Sequence, residues 1–258
     1  MTYSIIDEIM NKDYIYGLLL SDGTLALYGR NRGRVSIEVS LKDIDIIEKI
    51  SVQIPNGSIH YRTRKTNFSK EYRSVAYYNH HREFREELMK RGFPAGNKCE
   101  IVQPPIDDYL EEEFWRGYID GDGSIGFTKE GLPYISIVTK SDAICSSFLN
   151  FLERRLGIIK ILSRNKRDNC YNIVIKNEDA VELSRILYAD ADIYLNRKYQ
   201  KYLEIQKWKR TKKKIHSQSW SKEEDNFILS HRIEESISEL KRTKSSIKMR
   251  LYRLKIDN

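Results

Sequence analysis

The chain has 258 residues, of which 40% are hydrophobic, so it can bury a substantial core and has room for one large domain or two. Its net charge of +8 favours a polyanionic partner, nucleic acid first, over a merely soluble basic protein. Three scattered cysteines, no run of 18 apolar residues and no secretory signal exclude a disulfide framework, a membrane span and a membrane partner. We therefore expect a soluble protein of a reducing, intracellular compartment, such as a bacterial or phage-infected cytoplasm or an organelle.

The first hundred residues are predicted to begin with an apolar helix. Asp13 is placed to cap this helix, and Gly23 is placed to end it. Two hairpins and two further helices are expected after it, with strands at 25–28, 34–40, 58–64 and 72–78 and helices at 43–52 and 80–91.

The next hundred residues repeat this order. Pro104 and Pro105 mark the join, since two consecutive prolines cannot continue a helix. After a second apolar helix, strands are expected at 125–128, 134–139, 159–164 and 171–175, and helices at 142–156 and 178–188.

Three sequence matches support a duplication. GLLLSDG at residues 17–23 aligns with GYIDGDG at residues 117–123. Residues 39–43 align with 138–142, and Asn97-Lys98 aligns with Asn196-Arg197, both at a spacing of 99. Matches in the same order at nearly one spacing predict two related halves around one site.

The repeated motif predicts a metal site. A glycine inside a helix costs about 1 kcal/mol relative to alanine, so Gly17 and Gly117 indicate a close crossing of the two helices. That crossing would bring Asp22 and Asp122 together at the negative ends of both helices, where they repel each other. A divalent cation, Mg²⁺ or another such as Mn²⁺, would offset this repulsion. The alternative is that each aspartate only closes its helix in an Asp-Gly turn.

These segments resemble the LAGLIDADG motif of homing endonucleases, the first copy at residues 15–23 and the second from Phe114 or Trp115 to Gly123. Single-chain members of that family carry two such copies at about this separation. The resemblance covers about residues 8–205. It implies an α+β fold of two pseudo-symmetric αββαββα repeats, which form a saddle of two antiparallel sheets over duplex DNA.

The resemblance also implies an activity. Asp22 and Asp122 would bind Mg²⁺, with the main-chain carbonyls of Ser21 and Gly121 as further ligands. Metal-activated water would cut one phosphodiester on each strand across the minor groove, leaving short 3′ extensions. The implied partner is double-stranded DNA with a long, pseudo-palindromic or asymmetric target, bound by a monomer.

Two further family positions carry catalytic expectations, and a third differs between the halves. A basic residue after each half's last helix corresponds to Lys98 and to Arg197 or Lys198. A polar position at the end of the inner strand corresponds to Lys140, whose aligned partner is Leu41. Asp120 likewise aligns with Leu20, so the two half-sites are expected to be chemically unequal.

Rows of basic residues on the predicted strands are expected to read DNA in the major groove. The alternative for each residue taken alone is a solvated surface charge. The first-half rows are Arg30, Arg32 and Arg34, and His60, Arg62 and Arg64; the second-half counterparts are Lys129, Lys160, Arg164, Lys166 and Arg167.

The last fifty residues differ in composition. A basic stretch at 209–219 is predicted to be a linker, and a capping box at Ser221 and Glu224 opens the first of three helices. The segment around Trp220 resembles Myb-like or SANT helical domains. The expected DNA contacts of this helix-turn-helix-like domain are Lys244, Lys248, Arg250 and Arg253; packing of the tail onto the main domain is the alternative.

The predicted organisation is therefore a first repeat at 1–103, a second at 104–208, a linker at 209–219 and a helical DNA-binding domain at 220–258. The predicted function is site-specific, Mg²⁺-dependent double-strand cleavage of DNA by a homing-type endonuclease, encoded by an intron or another mobile element. The alternative is a protein of the same fold that binds nucleic acid without cutting it, as an intron maturase or a transcription regulator would.

Overall fold

The computed structural model describes residues 9–66, 69–210 and 220–256. The chain forms two compact units, Met1–Arg210 and Thr211–Asn258. Of the linker predicted at 209–219, residues 211–219 lie outside the described residues.

The first half of the larger unit has the predicted order of elements. It comprises helix α1 (Lys12–Asp22), strands β1 (Gly23–Tyr28) and β2 (Arg32–Ser40), helix α2 (Ile44–Gln53), strands β3 (Gly57–Thr66) and β4 (Ser69–Asn79), and helix α3 (Arg82–Lys90). The four strands form an antiparallel sheet in the order β1-β2-β4-β3.

The second half follows the same plan with two differences. It comprises α4 (Glu111–Asp122), β5 (Ser124–Phe127), β6 (Pro133–Thr139), α5 (Asp142–Leu156), β7 (Tyr171–Lys176), α6 (Asn177–Tyr188) and α7 (Asn196–Gln206). Its antiparallel sheet has three strands in the order β5-β6-β7. One predicted strand is missing, and α7 was not predicted as a helix.

The strand predicted at 159–164 is wrong. After α5 the chain turns at Gly157, which has a φ of 66°, and residues 158–164 pair with no strand among the described residues. The apolar pattern misled because Ile159 and Ile161 are exposed, whereas the neighbouring Ile158 and Leu162 pack against the core. Ile158 and Leu162 therefore anchor a loop to the core, and the apolar side chains between them face solvent.

Asp13 does not cap α1. Asn11 occupies the N-cap position and makes no side-chain cap hydrogen bond. The Asp13 carboxylate is buried, where it accepts from the Arg91 guanidinium at 2.7 Å and from the Leu110 backbone N–H at 2.9 Å. Asp13 therefore ties the start of α1 to the residue that precedes α4.

Helices α1 and α4 form the centre of the unit. Every residue of α1 from Asp13 to Leu20 is buried, as is every residue of α4 from Phe114 to Asp120. A helix that is buried all round has to be covered by other elements on every side. The two sheets and the remaining helices supply this cover in one continuous core.

A second tie between the halves lies at α2. The Lys49 ammonium donates to the Tyr194 carbonyl at 2.6 Å and to the Asn196 side chain at 2.7 Å. The Asn196 N–H donates to Asp45 at 2.9 Å. The start of α7 is therefore fixed against the first half.

The smaller unit contains the three predicted helices, α8 (Lys222–Ser230), α9 (Ile233–Leu240) and α10 (Lys244–Ile256). Ser221 and Glu224 form the predicted capping box. The Arg242 guanidinium lies 4.1 Å from the centre of the Trp220 ring and also pairs with Glu224.

Within the described part of the chain, no helix combines the length and the apolar character needed to cross a membrane. Cys99, Cys145 and Cys170 are free thiols, exposed, buried and partly buried respectively.

Candidate functional site: paired aspartates at a helix crossing

The two motif glycines lie where α1 and α4 touch. A Cβ on Gly17 would lie 2.2 Å from the Phe114 carbonyl oxygen, and one on Gly117 would lie 2.0 Å from that of Tyr14. Both distances are far below van der Waals contact, so only glycine allows this approach. The close crossing expected from the sequence is present.

The crossing brings the carboxyl ends of the two helices together. A Cβ on Gly121 would meet the Ser21 Oγ at 1.8 Å and the Asp22 Oδ2 at 3.2 Å. Asp22 and Asp122 are the last residues of their helices, and the following Gly23 and Gly123 are extended. Each helix therefore passes directly into a strand, β1 or β5, with its aspartate at the junction.

The electrostatics of the two aspartates are unfavourable. Burial against surrounding protein atoms, and then the charge of Asp122, raise the pKa of Asp22 to about 6. Burial also raises the pKa of Asp122, against the lowering effect of Lys98 and Lys198. The carboxylates thus lie close enough to influence each other, in a place where negative charge is poorly solvated.

Lys98 and Lys198 bind the ends of the two motif helices. The Lys98 ammonium donates to the carbonyls of Leu19, Leu20 and Ser21 at 2.6–3.0 Å. The acceptors of the Lys198 ammonium are the carbonyls of Ile119, Asp120, Gly121 and Gly123. Burial lowers the pKa of both lysines to about 8, while nearby aspartates oppose the shift.

These contacts decide between Arg197 and Lys198 as the structural equivalent of Lys98. The two lysines use acceptors spaced by one hundred residues, whereas the Arg197 guanidinium pairs with Asp43 at 2.7 Å. The sequence match of Asn97-Lys98 with Asn196-Arg197 is therefore displaced by one position.

Sheet register also corrects the partner of Lys140. Gly23 pairs with Ile37 and Ser124 with Ser136, so the two inner strands superimpose at a spacing of one hundred. Lys140 then corresponds to Ser40, not to Leu41. Both halves carry a polar residue at this strand end, a lysine in one and a hydroxyl in the other.

Each aspartate lines a cleft of its own, and the two clefts have similar volumes of about 200 and 210 Å³. The Asp122 cleft carries Lys98 and Lys140 beside the acid. Besides Asp22, the acids Glu38, Asp43 and Asp120 and the base Arg197 line the other cleft. The Asp122 cleft is therefore the more basic of the two.

Asp120 has a structural role in the core of the larger unit. It is 2% exposed and accepts hydrogen bonds from the hydroxyls of Tyr14 and Tyr188, both at 2.7 Å, and from the Leu195 N–H at 2.8 Å. Burial raises its pKa, and these three donors oppose the rise. Asp120 joins α1, α4, α6 and the start of α7, a role that its aligned partner Leu20 cannot share.

The residues present fit a hard divalent cation. Asp22 and Asp122 offer two carboxylates, and the carbonyls of Ser21 and Gly121 keep one lone pair each beside their lysine contacts. Among the described residues no group of three or more His, Cys, Asp or Glu side chains could hold a metal. Such a cation would complete its shell with water and phosphate oxygens, as Mg²⁺ commonly does.

The outer face of the four-stranded sheet gathers the first-half basic residues around Tyr78. Arg34 lies 4.3 Å and Arg62 5.3 Å from the centre of that ring, and the His60 ring lies 4.8 Å from it. Glu38 accepts a hydrogen bond from Arg62 at 3.1 Å and forms an ion pair with Arg64 at 3.2 Å. Tyr78 and Glu38 were not singled out from the sequence, although both alternate in phase with the basic residues.

Arg30 does not extend the row of Arg32 and Arg34. It lies in the turn between β1 and β2, where Arg30 and Asn31 have φ values of 61° and 58°. In the left-handed conformation a side chain leaves the alternation of the strand. Arg32 and Arg34 remain on β2 and share one face.

The second-half basic residues lie mostly in loops. Lys129 is in the turn between β5 and β6, and Lys166 and Arg167 are in the turn before β7. Lys160 donates to the Val174 carbonyl at 2.7 Å, and Arg164 pairs with Asp142 at 3.0 Å. No regular row forms there, because the strand predicted at 159–164 is missing.

The four basic residues expected to contact DNA from the smaller unit divide into two groups. Arg250 pairs with Asp225 at 2.6 Å, and Lys244 lies 3.6 Å from Glu234. Lys248 and Arg253 are exposed on α10, beside the exposed Met249 and Tyr252.

Comparisons with known proteins agree with the fold. Residues 110–188 match a family model described as a LAGLIDADG-like domain. The structure of the homing endonuclease I-WcaI bound to its DNA recognition sequence is similar with a TM-score of 0.55 and 20% identity, over 77% of this chain and 88% of that one. The larger unit therefore has the LAGLIDADG fold.

Two further structures gave lower scores. I-LtrWI, a LAGLIDADG homing endonuclease bound to target DNA, has a TM-score of 0.46 at 12% identity, over 78% of this chain and 89% of that one. Full-length DUF199/WhiA from Thermatoga maritima has a TM-score of 0.44 at 13% identity, over 98% and 96%. A search of curated protein sequences gave no match. The Myb-like or SANT resemblance of the smaller unit stays a prediction.

Proposed function

We propose that this protein is a metal-dependent endonuclease that makes a site-specific double-strand break in DNA. The observation that carries this proposal is the pair of aspartates at the crossing of α1 and α4. Each aspartate lines its own cleft, and each stands at a helix end that a lysine binds. Two mutually repelling carboxylates cost stability, and DNA binding alone does not require them. A two-strand cut requires two phosphate sites, and the two clefts supply them.

The roles of the residues follow from their positions. Asp22 and Asp122 would hold a divalent cation, which when bound stabilises charge on a phosphate oxygen and lowers the pKa of a coordinated water. Lys98 and Lys198 fix the helix-end carbonyls. Lys98 lines the Asp122 cleft and Arg197 lines the Asp22 cleft, so each scissile phosphate would lie beside a positive charge. Lys140 adds a further charge in the Asp122 cleft.

The binding surface supports the same proposal. I-WcaI, which shares the fold, is bound to DNA in its structure. In this chain the arginines around Tyr78 lie on the solvent face of the sheet whose first strand begins directly after Asp22. Arginine forks suit guanine edges and phosphates, so this face is the proposed reader of the target.

A function without cleavage is favoured by one observation. The ammonium groups of Lys98 and Lys198 take one lone pair of each carbonyl that would complete the metal site, and they bring positive charge to the place where a cation would bind. If the lysine charges alone balance the aspartates, no cation is needed at the helix ends. The protein would then bind nucleic acid without cutting it, as a maturase or a regulator would.

A randomised library of duplex DNA separates the two functions. The protein would be incubated with the library and Mg²⁺, and both cleaved and retained molecules would be sequenced. Cleavage at one recurring sequence, with cuts on both strands, is the expected result. Enrichment of one sequence by binding without any cut would contradict the endonuclease and favour the alternative.

A further inference from the structure

Two of the three cysteines of the chain lie in the Asp122 cleft. Cys99 and Cys170 both line it, Cys99 as an exposed residue and Cys170 as a partly buried one, and both are free thiols. The third cysteine, Cys145, is 5% exposed and lies on α5 in the core. The thiols that a reagent can reach from solvent are therefore those of the Asp122 cleft.

The two cysteines come from different segments, which are fixed to each other. Cys99 follows Lys98, whose ammonium binds the end of α1 and whose carbonyl accepts from the Val102 N–H at 3.1 Å. The Ser141 hydroxyl, just after β6, donates to the Val102 carbonyl at 2.5 Å. The turn that carries Cys99 is thus held against the end of β6, and Cys170 immediately precedes β7, the strand that pairs with β6.

A lysine stands beside each of these thiols. Lys98 directly precedes Cys99 in the chain. The antiparallel register of β6 with β7, continued by one residue, places Lys140 opposite Cys170. Both lysines line the same cleft as the thiols. Their positive charge would draw a small anionic reagent into this cleft.

The Asp22 cleft has no thiol among its lining residues. Because Lys198 is the equivalent of Lys98, Tyr199 holds the position of Cys99 in the other half. The Tyr199 ring stacks on the Tyr194 ring, with 3.9 Å between their centres. Thiol chemistry would therefore act on one of the two clefts and leave the other unchanged.

Resting on the proposed function, we propose that Cys99 and Cys170 form a modification site, at which an anionic low-molecular-weight disulfide reacts with a cleft thiol and closes the Asp122 cleft alone. The cysteine sulfur attacks one sulfur of the disulfide, so that a new S–S bond forms and the S–S bond of the reagent breaks. The released thiol takes up the proton that the cysteine lost. A thiol reductant reverses the exchange.

The modification would change the product of the reaction. The Asp122 cleft has a volume of about 200 Å³, and a peptide-sized group attached to its lining would occupy the place of the scissile phosphate. A double-strand break requires both clefts, whereas a nick requires one. Under reducing conditions the protein would cut both strands, and with modified thiols it would cut only the strand received at Asp22.

Glutathione disulfide is the probe for the modification itself. The folded protein would be incubated with it, and the adducts would be counted by intact mass spectrometry and located by peptide mapping. We expect glutathionyl groups on Cys99, Cys170 or both, none on Cys145, and their complete removal by dithiothreitol. The matched control is the double variant Cys99→Ser/Cys170→Ser, which keeps Cys145 and should stay unmodified. A wild type without adducts, or with as much adduct on Cys145, would overturn the modification site.

Strand-labelled target duplex and Mg²⁺ test the effect on cleavage. The reduced wild type and the disulfide-treated double variant should cut both strands, and the modified wild type should cut one strand, always the same one. If the modified wild type cuts both strands at the reduced rate, or cuts neither, the selective closure of the Asp122 cleft is wrong and the endonuclease stands. If the reduced wild type cuts neither strand, the proposed function is refuted, and the adduct map still decides whether the thiol site exists.

Discussion

Lys98 and Lys198 hold the same positions of two helices one hundred residues apart: the Lys98 ammonium binds the carbonyls of residues 19–21, and the Lys198 ammonium binds those of residues 119–121. The helix ends, the aspartates that follow and the lysines that bind them thus form one repeated unit. Around this unit the two halves differ, since Lys140 replaces Ser40 and Asp120 replaces Leu20.

The helix crossing should be intolerant of a single methyl group. Gly17→Ala would place its Cβ 2.2 Å from the Phe114 carbonyl oxygen, and both atoms belong to tightly packed backbone. We expect a loss of about 3 kcal/mol in the free energy of unfolding and a fall of about 10 °C in Tm. The control is Gly29→Ala, because a Cβ there would meet no atom within 4 Å. Equal melting temperatures for the two variants would contradict the crossing.

The paired acids should make the metal-free protein lose stability as the pH rises. Asp22 has a pKa of about 6 when folded, above the ordinary value of 3.8, so the folded state binds more protons between these values. The contribution of Asp22 to the free energy of unfolding should therefore fall from pH 4 to pH 6 and stay constant at higher pH. Asp22 is exposed by its accessible surface although protein atoms crowd its carboxylate, so solvent screening should limit the effect to about 1 kcal/mol.

Chemical denaturation across this pH range, for wild type and Asp22→Asn, measures that contribution. Asp22→Asn should be the more stable protein at pH 7, and the difference should shrink toward pH 4. Added Mg²⁺ should stabilise the wild type at pH 7 and have little effect on the variant. A wild type that is more stable than Asp22→Asn at pH 7 without metal would contradict the account.

The two DNA strands should be cut at different rates. The Asp122 cleft carries Lys98 and Lys140, whereas Glu38 and Asp43 line the Asp22 cleft, so a phosphate is received better at Asp122. A nicked intermediate should accumulate. Lys140→Ser, which installs the residue of the other half, should slow the first cut about tenfold.

Duplexes labelled separately on each strand would follow this order. The control is Lys176→Ser, the loss of an exposed lysine at the end of β7, which should leave the order unchanged. Simultaneous cutting of both strands by the wild type would show that the asymmetry of the clefts has no kinetic effect.

The smaller unit should extend the contact with DNA. Lys248 and Arg253 are exposed on α10 and form no ion pair with any residue that the structure describes, whereas Arg250 is paired with Asp225. Replacing both with glutamine should weaken binding about tenfold, and Lys222→Gln on α8 should not. Deleting residues 217–258 should shorten the footprint. An unchanged footprint would mean that the unit has a structural role only.

The repeated residues were sufficient to predict the centre of this protein. Gly17, Gly117, Asp22 and Asp122 each have a strict steric or electrostatic requirement, and such requirements leave a clear pattern in a sequence. The equivalence of Lys98 with Lys198 was harder, because a match of neighbouring asparagines suggested Arg197. Only the carbonyl contacts distinguish the two residues.

Features that depend on contacts between residues far apart in the chain could not be predicted from the sequence. Residues 159–164 have the apolar alternation of a strand, but no neighbouring strand pairs with them in the described sheets. Asp13 is a residue type that commonly caps helices, but its carboxylate instead binds Arg91 and Leu110, which lie far from it in the sequence. Tyr78 gathers Arg34, Arg62 and His60 from two other strands, which no local pattern indicates.

The most direct test of the central claim is to remove one aspartate at a time and measure cleavage and binding together. A target duplex from the library selection would be incubated with Mg²⁺ and wild type, Asp22→Asn or Asp122→Asn, and its affinity would be measured without metal. We predict that each variant binds the duplex as tightly as wild type but makes no double-strand break. A variant that cuts both strands at the wild-type rate would contradict the assignment of Asp22 and Asp122 as metal ligands.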